Sequence, residues 1–103
     1  MAKFALTANP TFSAKVGFMP AGGEPVDVLL TFKHRTKTAL AEFRVVLLDR
    51  DDVTNFLDMV NGWDLLDEFN RANVELLLEN HIGVAVATYK AYFEELQQHR
   101  RGN

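Results

Sequence analysis

Two hydrophobic periods divide this chain, and the change from one to the other limits what it can fold into. Phe12, Ala14, Val16 and Phe18 alternate with Ser13, Lys15 and Gly17, and the same alternation returns in Val26, Val28, Leu30 and Phe32. Successive side chains of a strand point to opposite faces, so a period of two marks a strand buried on one side. Between these runs, Met19 to Pro25 collects Pro20, Gly22, Gly23 and Pro25, residues that interrupt regular structure. A β-hairpin with a long loop is expected over residues 11–34. A two-stranded hairpin is marginal in water, so its apolar face needs a cover.

Downstream of the hairpin the chain can supply that cover, because there the hydrophobic period lengthens to that of a helix. Thr36 or Thr38 can cap a helix over 37–48 with Leu40, Phe43, Val46 and Leu47 on one face, and Val45 and Leu48 widen that stripe enough to suggest cover on two sides. Asp51 or Asp52 can cap a second helix over 52–61, carrying Val53, Phe56, Leu57 and Val60 and ended by Asn61-Gly62. Asn70 can cap a third over 70–81, with Val74, Leu77, Leu78 and His81 at i, i+3, i+4 and i+7. A fourth, over 84–99, places Ile82, Val86, Tyr89, Phe93 and Leu96 on one stripe, and Gln97 to Arg101 puts cations at its C-terminal end. The fold class is therefore α+β: an N-terminal β-hairpin and about four α-helices, a mainly helical single domain over residues 1–103.

Chemistry is hard to find in this pattern. Without cysteine there is no disulfide, thiolate metal site or thiol nucleophile. The acid pairs Asp51/Asp52, Asp67/Glu68 and Glu94/Glu95 are adjacent, and neighbours on a helix diverge by about 100°, so they suit caps and solvated faces better than general acid–base work. His34, His81 and His99 have no ligand spacing. Gly22-Gly23 opens no helix and is a hairpin loop rather than a phosphate cradle. No catalytic, cofactor-binding or metal-binding residue is assigned, and the expectation is a non-enzymatic protein without a cofactor. Its apolar runs are too short to span a bilayer, and the start lacks a signal-peptide core.

Two features remain that can meet a partner. Between Lys33 and Arg44 four basic residues (Lys33, Arg35, Lys37, Arg44) stand against Glu42, whereas from Asp49 to Glu79 nine acids stand against Arg50 and Arg71. Such separation can steer a partner or orient self-association, though two differently solvated faces explain it as well. The cluster Tyr89, Tyr92, Phe93 and Leu96 offers a wider apolar face than one hairpin needs; core packing is the plain explanation, and an interface follows if part stays exposed. The candidate contact residues are Tyr89, Tyr92, Phe93 and Leu96 on the last helix and Lys33, Arg35 and Lys37 at the hairpin exit. The overall acidity and the shortness of the basic run disfavour nucleic acid.

The order of several short strings is similar to a known family. Asn9-Pro10-Thr11-Phe12, the Gly-rich loop, Thr31-Phe32-Lys33-His34-Arg35-Thr36, Gly62-Trp63-Asp64 and the closing Ala85, Ala87-Thr88-Tyr89 and Ala91-Tyr92 together resemble tail assembly chaperones of long-tailed bacteriophages or prophages. The resemblance implies a non-enzymatic role: coating the long, apolar tape measure protein as a homo-oligomer and keeping it soluble while tube subunits polymerise around it. It also implies action in the host bacterial cytoplasm, absence from the mature virion, and contact with the tail tube protein through a longer frameshift product. The alternative is a small adaptor or regulatory module that binds protein or nucleic acid through Lys33 to Lys37.

Overall fold

The computed structural model describes residues 1–98. In chain order it contains β1 (Thr11–Phe18), β2 (Val26–Lys33), α1 (Lys37–Val46), a 3-10 turn (Leu47–Asp49), α2 (Asp52–Met59), β3 (Val60–Trp63), α3 (Arg71–Asn80) and α4 (Gly83–Gln97).

The hairpin forms as its alternation requires, with β1 antiparallel to β2 from Thr11↔Lys33 to Phe18↔Val26. Its connection closes through a turn in which the Gly23 N–H donates to the Pro20 carbonyl, and Gly22 adopts φ +74°, a left-handed conformation that costs glycine nothing sterically. The inward residues Ala14, Val16, Phe18, Val28, Leu30 and Phe32 are buried. Outward positions such as Ser13, Lys15 and Asp27 are exposed.

The sheet holds a third strand that the periodicity did not reveal. The helix expected over 52–61 stops at Met59, and Val60 to Trp63 pairs antiparallel with β2 in the order β1-β2-β3. The expected hairpin is thus one part of a three-stranded antiparallel sheet. Four residues are too few to display a period of two, and a buried Val60 next to a helical stripe reads as its continuation. Pairing of Phe32 with Val60 and of Thr31 with Gly62 leaves Asn61 as the extra residue of a bulge. The Asp64 side chain closes this edge by accepting the Leu29 N–H at 2.9 Å.

Caps set the helix starts. Thr36 accepts the Ala39 N–H, Asp51 the Thr54 N–H and Asn70 the Asn73 N–H, each satisfying a donor that lacks an intrahelical partner. The first helix ends at Val46 rather than 48, because Leu47–Asp49 tightens into the 3-10 turn. Its expected two-sided cover is absent: Leu40 and Phe43 are buried, but Val45, Val46 and Leu48 are exposed. The last helix ends at Gln97, with Gln98 in the left-handed conformation donating its N–H to Glu94 and Glu95 carbonyls. The cations expected from His99 to Arg101 lie outside the described residues.

The core is one cluster in which the inner face of the sheet meets α4 and α2. Tyr92, fully buried at 0% exposure, is its largest member. Its ring centroid lies 5.3 Å from Phe32, 6.2 Å from Phe12 and 6.0 Å from Phe43, the last edge-on, separations at which aromatic rings attract beyond their burial. Its hydroxyl donates to the Lys33 carbonyl at 2.7 Å and accepts from Arg35 at 2.9 Å. Tyr92→Ala is expected to cost about 3–5 kcal/mol through the cavity it leaves. Tyr92→Phe keeps the rings but takes the donor from the Lys33 carbonyl and one acceptor from Arg35, at about 1–3 kcal/mol. Urea denaturation of the two variants measures both.

Candidate partner-docking surface

Helix α4 is apolar on two sides. The face set by Val84, Ala85, Thr88, Ala91 and Tyr92 is buried. Thr88, polar but fully buried, fits there because its hydroxyl donates to the Val84 carbonyl at 2.8 Å. The stripe expected to be one continuous face, Ile82, Val86, Tyr89, Phe93 and Leu96, is split: its last three residues pack along the edge of this core and its first two face solvent. Ile82 is 87% and Val86 69% exposed, while Tyr89, Phe93 and Leu96 are half-buried. A helix that is apolar on two sides has more apolar surface than a single sheet can cover.

The half-buried members are held by defined neighbours. Phe93 packs 6.3 Å from Phe43, and the Arg44 guanidinium lies 4.4 Å above its ring centroid. The Tyr89 hydroxyl donates to Asp52 Oδ1 at 2.8 Å and accepts from Asn55 Nδ2 at 2.8 Å. Asn55, itself buried, also donates to the Leu47 carbonyl and accepts from Arg50 Nε. Leu96 joins Leu40, Ala41 and Leu6 in an open groove of about 940 Å³ whose other lining residues include Arg35, Lys37 and Arg44.

The hairpin-exit cations separate into two roles. Lys33 Nζ donates to the Leu57 carbonyl at 2.9 Å, and Arg35 Nη1 to the Asp58 carbonyl at 2.8 Å. Both carbonyls belong to the last turn of α2, where the helix dipole favours positive charge. Arg35 also lies 4.2 Å above the Phe43 ring and faces the Asp58 carboxylate at 3.9 Å, while Arg50 pairs with that carboxylate at 2.7 Å. These cations hold the chain to itself. Lys37, exposed in the first turn of α1, faces the groove instead.

The structure therefore brings Leu96, Arg35 and Lys37 to one groove, sets Phe93 and Tyr89 along the neighbouring side of α4, and removes Tyr92 to the core. Contributors that were not among the candidate contact residues are Leu6, Leu40, Ala41 and Arg44 in the groove and Ile82 and Val86 as exposed positions. The available signal was an excess of apolar residues in the first and last helices over what one hairpin can hide. Among the described residues no group of three or more His, Asp or Glu could hold a metal ion, and no helix is long and apolar enough to cross a membrane.

Burial raises both tyrosine hydroxyls. Tyr89 is pushed up to about 12, first by burial and further by the Asp52 carboxylate, against the opposing Asn55 amide. Tyr92 is raised by burial, with Arg35 opposing. Between the ordinary phenol value near 10 and the folded value, the folded chain retains a proton that the unfolded chain has lost, so stability falls as pH rises through this window. The urea midpoint should drop between about pH 10 and about pH 12, and Tyr89→Phe should flatten that fall.

Comparison with curated proteins and with solved structures found no match. The family description "Phage tail assembly chaperone" matches over residues 1–103, the whole length, and on that ground the chain belongs to the phage tail assembly chaperone family.

Proposed function

We propose that this chain is a non-enzymatic chaperone that binds the tape measure protein and keeps it soluble while the tail tube assembles. Membership of the family implies partners among the tail proteins. The observation that carries the finer reading is the second apolar side of α4, on which Val86, Tyr89, Phe93 and Leu96 succeed one another at helical spacing and remain partly or largely exposed. An amphipathic helix lays its apolar face into such a surface and is read at its own i, i+3, i+4 and i+7 positions. Exposed apolar residues on α1 and the adjoining turn, Val45 and Leu48, extend the chain's apolar surface.

Capture without covalent chemistry must also be reversible, and moderate affinity per copy multiplied over many copies along a filament satisfies both needs. The chain acts in this reading as a homo-oligomer in the host bacterial cytoplasm and is left out of the mature virion. A longer frameshift product would add contact with the tail tube protein. Lys37 and Arg44 at the groove rim orient an acidic flank of the bound helix. Lys33 and Arg35, already bonded to α2, act on the surface through the fold that they hold.

Co-expression with a candidate tape measure protein, and then light-scattering mass determination of the soluble fraction, tests this. The expected result is a soluble complex of many copies, with Val86→Asp and Leu96→Asp each lowering recovery of the long protein. A tape measure protein that precipitates regardless of this chain overturns the proposal. Binding to nucleic acid that falls steeply with salt would favour the adaptor reading instead.

A further inference from the structure

Residues 1–9 form an exposed arm that carries Phe4 and Leu6 at 89% and 101% exposure, with Lys3 beside them. Among the described residues the first backbone hydrogen bond that ties the chain down comes after the arm, at Pro10, whose carbonyl accepts the His34 N–H. The arm leaves the body beside the C-terminal end of α4, where Leu6 to Ala8 run along the rim of the basic groove and Ala8 and Asn9 share a shallow groove with Leu96 and Gln98. Large apolar side chains held in water need a site elsewhere if they are to lower the free energy of the assembly.

A complementary site lies at the other end of α4. Trp63, Leu65, Leu76 and Leu77 form the apolar part of a pocket of about 480 Å³ between the end of β3 and α3, and Asp67, Asn73, Asn80 and His81 complete its lining. Trp63 is fixed by donating to the Asp67 carbonyl at 2.7 Å and by standing edge-on to Phe69 at 5.0 Å. The turn that forms the wall also exposes Asp64 and Glu68, and α3 exposes Glu79. The pocket has an apolar half and an acidic edge; the arm is apolar and carries a cation.

We propose that the arm of one copy docks in the Trp63–Leu76 pocket of a second copy, with Phe4 and Leu6 as anchors and Lys3 facing the acidic turn. Nine residues span at most about 30 Å when extended, and fifteen helical residues set the two ends of α4 about 22 Å apart. Donor and acceptor surfaces differ and sit at opposite ends, so the contact is heterologous and repeats from copy to copy. The charge division between residues 33–44 and 49–79 thereby has a spatial counterpart in the way copies succeed one another.

The test uses the full chain alone, so it stands apart from capture of the tape measure protein, which co-expression reads. Wild-type mass by light scattering should rise with concentration. Phe4→Asp/Leu6→Asp and Leu76→Asp, both at exposed positions, should each keep the wild-type circular dichroism yet remain monomeric, with association weakened on the order of a hundredfold. An equimolar mixture of the two variants should form a dimer and stop, since one retains the pocket and the other the arm. Trp63, the sole tryptophan, should change its fluorescence on mixing. A wild type that stays monomeric at every concentration overturns the proposal, whether the pocket is empty or filled by the chain's own arm. So does an arm variant with wild-type mass, or a mixture that stays monomeric.

Discussion

The hydroxyl of Tyr92 is the point at which the sheet, the end of α2 and the last helix are fastened together. It donates to the carbonyl of Lys33 where β2 ends and accepts from Arg35 two residues on, and Arg35 in turn reaches the Asp58 carbonyl at the end of α2. A buried phenol, carbonyl and guanidinium are costly unless each finds a partner. Here they supply one another's partners. The ring completes the fastening, since Phe12, Phe32 and Phe43 pack around it. Polar and apolar requirements therefore agree on a single placement of α4 against β1 and β2.

That placement decides what remains outside. With Val84, Thr88, Ala91 and Tyr92 turned inward, Ile82 and Val86 must face solvent, and Tyr89, Phe93 and Leu96 fall along the boundary. The three-stranded sheet is too narrow to hide a second helix face. For a member of a tail assembly chaperone family, apolar surface left over by a small sheet is surface that a partner can use. The same geometry puts the basic groove at one end of α4 and the acid-edged pocket at the other, which gives the molecule a direction.

The cations show how residue type can mislead about location. Lys33, Arg35 and Lys37 form a run in the sequence, and a run of alternating positive charge suggests a patch. In the fold two of the three turn to the C-terminal carbonyls of α2, from which they are separated by more than twenty residues of chain. A helix end that lacks hydrogen-bond partners attracts cations from wherever the chain can deliver them. That attraction is invisible to any local reading of residues 33–37.

What the sequence determined by itself are features that depend on near neighbours. The alternation of residues 12–18 and 26–32 specifies the hairpin; Thr36, Asp51 and Asn70 specify three helix starts, since a cap acts within three residues; the motif order points to the family. Tertiary structure alone decided the rest. The strand Val60–Trp63 exists because β2 had a free edge for it to join. The face of α4 that is buried was settled by Tyr92 reaching Lys33, 59 residues away. Two apolar stripes on one helix are nearly equivalent in hydrophobicity, so local periodicity cannot choose between them; only the partners waiting on the sheet and on α2 can.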